Sequence, residues 1–109
     1  MPGNIFTIKL LDVIIDAKCK EDLQTFDNIF LVTEYIDHDL KAILTTQKPR
    51  NFDSLHAKSI LYNMLCSINF LQTANILHRD LKPANILITK TCSIKICDFG
   101  LAITMPSDT

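Results

Sequence analysis

Residues 76–87 read Ile-Leu-His-Arg-Asp-Leu-Lys-Pro-Ala-Asn-Ile-Leu, and residues 96–100 read Ile-Cys-Asp-Phe-Gly. In the first stretch an acid, Asp80, precedes a base, Lys82, and an amide, Asn85. A second acid, Asp98, follows the next apolar run. These residue types suit the transfer of a phosphoryl group to a hydroxyl. Such a transfer needs an acceptor for the hydroxyl proton, positive charge against the phosphate oxygens, and hard oxygen donors to hold a cation. Asp80 can orient the hydroxyl and take its proton. Lys82 can reach the transferring group from the same loop, while Asn85 offers a neutral oxygen and Asp98 a charged one to a cation such as Mg²⁺. Pro83 stiffens the loop, and Gly100 lets the backbone turn sharply just after Asp98.

The spacing is specific. Seven fixed positions, His78-Arg79-Asp80-Leu81-Lys82-Pro83 and then Asn85, arise in roughly one of 10⁹ random octapeptides, whereas Asp-Phe-Gly alone is weak. The competing reading is a polar surface loop whose Asp and Asn cap turns. The first stretch resembles the catalytic loop of the eukaryotic protein kinases and the second their metal-binding Asp-Phe-Gly. That resemblance implies ATP and Mg²⁺ as cofactors, catalytic roles for Asp80, Lys82 and Asn85, and metal coordination by Asn85 and Asp98.

Two apolar runs stand before these motifs. Residues 8–14 read as a short buried strand and resemble the fourth strand of the kinase small lobe. Residues 29–36, Ile-Phe-Leu-Val-Thr-Glu-Tyr-Ile, have the β-branched and aromatic content of a strand. An ordinary core strand is the plain alternative for the second run. In kinases the corresponding strand leads into the hinge that holds adenine. The resemblance then makes Thr33 the gatekeeper and gives the C=O of Glu34 and the N–H of Ile36 to the base edge. Asp39 could bond ribose or cap the helix expected over 40–44; capping is at least as good a use for an Asp there. Residues 16–28 read as a connection and 45–52 as a loop broken by Pro49.

Leu55, Ile60, Leu61, Met64, Leu65, Ile68 and Leu71 recur at three- and four-residue steps and predict a helix over about 54–73. Asp53 or Ser54 is its N-cap, and Asn75 its left-handed stop. Met64 and Phe70 belong to the core before any function. His56, on the first turn, is a solvated helix residue or, on a sharper reading, part of a docking surface with Ile60, Leu40 and Ile43. Residues 86–88 and 94–97, around a turn at 89–91, read as a hairpin carrying Asn85 at one end and Asp98 at the other. By resemblance, Leu87 and Cys97 flank the floor of the adenine pocket; Lys82, Asn85 and Asp98 complete the ATP site. Residues 101–109 show no structural signal.

Composition limits the alternatives. The chain has 109 residues, one domain or less, with 11 basic and 12 acidic side chains and a formal charge of −1. No basic field points to nucleic acid and no polybasic run to a membrane surface. Hydrophobic residues make up 48 % and mean hydropathy is +0.19, yet no run approaches the ~18 apolar residues of a membrane span. The first residues have neither a basic nor an apolar leader region, so no signal peptide is expected. Cys19, Cys66, Cys92 and Cys97 lack zinc-site spacing, so reduced thiols and an intracellular setting, cytoplasm or nucleus, are expected over a metal or disulfide role. Glycine occurs only at Gly3 and Gly100, and these two cannot form the glycine-rich loop of a kinase.

The wording of residues 91–102 and 74–80 resembles the mitogen-activated protein kinases and their cyclin-dependent relatives. It departs from them at Ile103, usually Arg, and at Ala84, often Ser. The expectation is therefore an α+β, protein-kinase-like fold that is partial. Residues 1–36 would form the end of the small lobe with its fourth and fifth strands and the hinge. Residues 37–109 would start the helical large lobe with the catalytic-loop hairpin. The function implied is ATP-dependent phosphorylation of protein Ser or Thr hydroxyls; Lys82 after Asp80 favours these over Tyr. Protein substrates, an upstream kinase and docking peptides near His56 are the partners implied. Taken alone, the 109 residues are expected to be inactive, with apolar faces left exposed. The alternative class is a non-catalytic, kinase-derived binding fragment. A small-molecule phosphotransferase is disfavoured by Arg79 and Pro83.

Overall fold

The computed structural model describes residues 4–16, 27–45 and 52–106. Strands β1 (Leu10–Ile15) and β2 (Ile29–Thr33) form an antiparallel pair whose register slips by one residue between Leu10 and Asp12. β1 therefore starts later than the sequence suggests, and β2 ends at Thr33, before the expected limit at Ile36. Asp16 closes the open end of this pair. Its Oδ1 accepts from the backbone N–H groups of Asp27 and Asn28, both at 3.1 Å. Most of the connection read over 16–28, and of the loop around Pro49, lies outside the described residues.

β3 (His38–Asp39) leads straight into α1 (Leu40–Thr45). Asp39 Oδ1 accepts from the N–H of Ala42 at 2.7 Å, so capping is the use the fold makes of this side chain. α2 (Ser54–Thr73) has the limits its apolar spacing predicts. Asp53 is the N-cap, with Oδ1 accepting from the N–H of Leu55 and of His56 at 2.9 and 3.1 Å. His56 returns the favour in place of the usual Glu or Gln: its Nδ1 accepts from the N–H of Asp53 at 3.2 Å. The hydrogen bond from the His56 backbone is the main reason the Asp53 carboxyl is held below the usual carboxylate range. At the other end Asn75 adopts φ 56°, the left-handed stop.

β4 (Ile76–Leu77) follows at once. A single 3₁₀ turn, Pro83–Asn85, starts on Pro83 and leads into β5 (Ile86–Ile88), which pairs antiparallel with β6 (Ile94–Ile96). β3 adds to the outer edge of β5, giving the order β3-β5-β6. The turn is longer than residues 89–91, closing with Thr89 N–H on the Ser93 carbonyl at 2.9 Å. The tail is not without structure. β7 (Ile103–Thr104) pairs antiparallel with β4, and the N–H of Met105 donates to the Asn75 carbonyl at 2.7 Å.

The core lies between α2 and the inner face of the β5–β6 pair. Ile43, Ile60, Ile86, Ile88 and Ile94 are buried together, with Leu40, Phe52, Met64 and Cys92 packed around them. Alternation along β5 and β6 puts Ile86, Ile88, Ile94 and Ile96 inward and Leu87 and Lys95 on the opposite face. Burying one such isoleucine is worth about 1.5–3 kcal/mol. Asn63 Nδ2 ties α2 to the hairpin turn through the Cys92 carbonyl at 3.1 Å. The apolar residues of β1 and β2 are mostly exposed, as are Leu61, Tyr62 and Leu65 on the outer side of α2.

Candidate functional site

The segment from β4 to β5 is held by a buried imidazole. His78 is 3 % exposed. Its Nε2 donates to the Cys97 carbonyl at 2.8 Å, and its Nδ1 accepts from the N–H of Asp80 at 3.1 Å. A carbonyl can only accept, so these partners assign the neutral tautomer with hydrogen on Nε2. The ring also meets Phe99 edge-on, with centroids 5.0 Å apart. One side chain thus fixes the backbone at Asp80 against the strand end that carries Asp98. The sequence reading counted His78 only as part of the motif. Its hydrogen bond to the Cys97 carbonyl, 19 residues on, is a non-local fact that spacing does not reveal.

Asp80 is partly buried, and its Oδ1 lies 3.6 Å from Lys82 Nζ, which is more exposed. Such a pair adds little stability, but it keeps an acid and a cation at one mouth. Asn85 is buried, and its Nδ2 donates to the backbone carbonyl of Asp80 at 3.0 Å, with Asp80 Oδ2 at 3.4 Å. Its amide hydrogens are thereby committed, which leaves the oxygen of the same amide for a cation. The N–H of Cys97 donates to the Asn85 carbonyl at 3.0 Å. Asp98 follows directly, with an exposed side chain and φ 59°. The hairpin therefore carries the Asn85 backbone and the residue before Asp98 at one end. The neutral oxygen of Asn85 and the charged oxygens of Asp98 are of the kind that suits a hard cation. Gly100 N–H donates to Asp98 Oδ1 at 3.3 Å, a close approach that a Cβ on residue 100 would crowd at 3.3 Å from the same oxygen.

Arg79, at φ 66°, shares with Asp98 a backbone region that costs non-glycine residues energy. Arg79 Nε donates to the Leu101 carbonyl at 2.6 Å, a second tie between the loop and the chain after Asp98. Of the four left-handed non-glycine residues among those described, Arg79 stands directly before Asp80 and the other two besides Asp98, Asn75 and Cys92, sit at a helix end and a hairpin turn.

The remaining expected site residues fall on the outer face of the sheet. Leu87 pairs with Asp39 on one side and Lys95 on the other, and Cys97 lies one alternation beyond Lys95. Burial, first, and the Asp98 carboxylate, second, push the Cys97 thiol up, which disfavours its thiolate. Glu34 joins this face through Lys95, whose Nζ lies 2.6 Å from Glu34 Oε1. Thr33 is exposed at the end of β2, and Ile36 lines a shallow depression with Tyr35, Asp37, His38 and Lys90.

The residues expected to form a docking surface are partly brought together. A groove of about 290 Å³ is lined by His56, Ile60, Ile43, Phe52 and Lys90. Ile60 is 4 % exposed and also serves the core, Leu40 packs against the same core, and the His56 ring is engaged in capping. Among the described residues, Cys66, Cys92 and Cys97 are free thiols, no cluster of three His, Cys, Asp or Glu side chains forms a metal site, and no helix is long and apolar enough to cross a membrane.

The chain belongs to the protein kinase family: residues 7–109 match the protein kinase domain. Within that family it is mitogen-activated protein kinase-like. It is 39 % identical over 99 residues to mitogen-activated protein kinase MKC1 of Candida albicans, covering 91 % of this chain and 19 % of that protein. It is 42 % identical over 97 residues to mitogen-activated protein kinase 7 of Arabidopsis thaliana, covering 89 % and 25 %. To extracellular signal-regulated kinase 1 of Dictyostelium discoideum it is 43 % identical over 99 residues, covering 91 % and 17 %. The chain thus spans about a fifth of the length of the curated relatives it matches.

Proposed function

We propose that these residues are the hinge and catalytic-loop portion of an ATP-dependent serine/threonine protein kinase of mitogen-activated type. Residues 1–36 would close its small lobe and 37–109 open its large one. The observation that carries the reading is the bond from Cys97 N–H to the Asn85 carbonyl, together with the His78 bridge; these support Asp80, Asn85 and Asp98 acting as one site. Asp80 orients the hydroxyl of a protein Ser or Thr and accepts its proton. Lys82 neutralises charge on the phosphoryl group as it moves. Asn85 and Asp98 hold Mg²⁺, which when bound neutralises the phosphates and fixes their geometry. The Glu34 carbonyl and Ile36 N–H bind the edge of adenine, with Thr33 behind it and Leu87 and Cys97 at its floor. Asp39 is left to its helix. Protein substrates, an activating kinase and a site in the cytoplasm or nucleus follow from the same reading.

The test is metal dependence in the protein that carries this segment. Asp98→Asn should abolish Mg²⁺-dependent transfer from ATP to a protein while circular dichroism stays unchanged. Transfer that survives in a preparation free of other kinases would count against the assignment.

A further inference from the structure

The resemblance to a kinase hinge assigns Glu34 a role only through its main-chain carbonyl, for which any side chain would serve. Its carboxylate is in fact the most connected group of the hinge segment. Oε1 accepts from the backbone N–H of Lys9 at 2.8 Å and from Lys95 Nζ at 2.6 Å. The N–H of Glu34 donates in turn to the Lys9 carbonyl at 3.0 Å. The two acid–base side chains are only 28 % and 20 % exposed, so water competes weakly for the pair.

The position of this oxygen matters more than its strength. β2 ends at Thr33, so residues 34–37 leave the ladder and run to β3 without strand pairing. The main-chain bonds that join the residues just before β1 to the body end on the neighbouring residue of the same strand, from Ile8 N–H to the Ile96 carbonyl at 3.0 Å and from Ile96 N–H to the Phe6 carbonyl at 2.8 Å. Glu34 and Lys95 add a tie from the β2 side to β6, on the face that carries Leu87 and Cys97.

We propose that Glu34 and Lys95 are positioning residues whose side chains latch the segment after β2 to the floor strand and so set the distance between the adenine-binding backbone and Leu87 and Cys97. This rests on the nucleotide-binding reading above. The Lys95 hydrogen bond, first among the causes, holds the Glu34 carboxyl below its ordinary range, so the latch is ionised and closed at neutral pH.

The test uses the full-length protein carrying this segment. Glu34→Gln keeps an acceptor for Lys9 N–H but removes the charge, Lys95→Met removes the other charge at similar length, and Lys95→Arg keeps the pair. Each of the first two should raise KM for ATP on the order of fivefold with kcat within about twofold of the parent, the range of one charged hydrogen bond. The double variant should be no worse than either single one, because both remove the same interaction. Lys95→Arg should keep the parental KM. Backbone amide exchange over residues 33–36, followed by mass spectrometry, should quicken in Glu34→Gln and Lys95→Met only. An unchanged KM in an ATP-dependent enzyme, or additive losses in the double variant, overturns the latch. If the parent neither binds nor uses ATP, the kinase reading falls, and exchange decides the latch alone: unchanged exchange in Lys95→Met overturns it.

Discussion

The β1–β2 pair and the β5–β6 pair are both antiparallel and both rich in isoleucine, leucine and valine, yet they are held in opposite ways. β5 and β6 bury one face against α2 and keep the other for Leu87 and Lys95. β1 and β2 expose apolar side chains on both faces and are joined to the body by a few bonds at Phe6, Ile8, Ile96 and the Glu34–Lys95 pair. Hydrophobic sequence alone therefore does not say where stability resides. In the described residues it resides between α2 and the β5–β6 pair, and the segment after β2 is positioned by bonds more than by packing.

Truncation should separate the two regions most. Ile96, 1 % exposed, sits on the inner face, and Ile96→Ala should cost about 2–5 kcal/mol in denaturant unfolding. Leu31, 65 % exposed, should lose no more than about 0.5 kcal/mol as Leu31→Ala. Equal losses would erase the contrast between the hairpins. A comparable effect is expected at the bridge. His78→Leu removes a donor to Cys97 and an acceptor for Asp80, stranding buried groups at about 1–3 kcal/mol each. It should also lower phosphoryl transfer, because the two halves of the site lose their common support. A His78→Leu protein that is destabilised but fully active would show that the bridge serves the fold only.

The smallest effect concerns the hinge and is sharpened by pH. Because the Glu34 carboxyl is depressed in the fold, chiefly by Lys95, its contribution is complete above the unfolded value of about 4.3 and is lost as pH falls through the lower folded value. Parent and Glu34→Gln should therefore differ in stability by at most about 1 kcal/mol at neutral pH and converge in acid. A difference that grows in acid would reverse the assigned sign.

The sequence made local structure legible. The period of Leu55 to Leu71, the cap at Asp53 and the stop at Asn75 delimit α2 because each acts within a few residues. The alternation around residues 86–97 announced the β5–β6 pair, and with it the approach of the Asn85 backbone to the residue before Asp98. What spacing hid was long-range. Two-residue strands have no period, so the pairing of β4 with β7 left no trace in residues 101–106. The bonds from His78 to Cys97, from Arg79 to Leu101 and from Lys95 to Glu34 join residues 19, 22 and 61 positions apart, and each needs the fold to exist first.

The central claim is that Asp80 acts on the acceptor hydroxyl within a site completed by Lys82, Asn85 and Asp98. Asp80→Asn in the full-length protein keeps the side chain's shape and removes its basicity. Steady-state phosphorylation of a protein substrate, measured alongside ATP affinity, should show kcat reduced roughly 10²–10⁴-fold with ATP binding unchanged. Parental turnover in Asp80→Asn, or a loss confined to ATP affinity, would contradict the account.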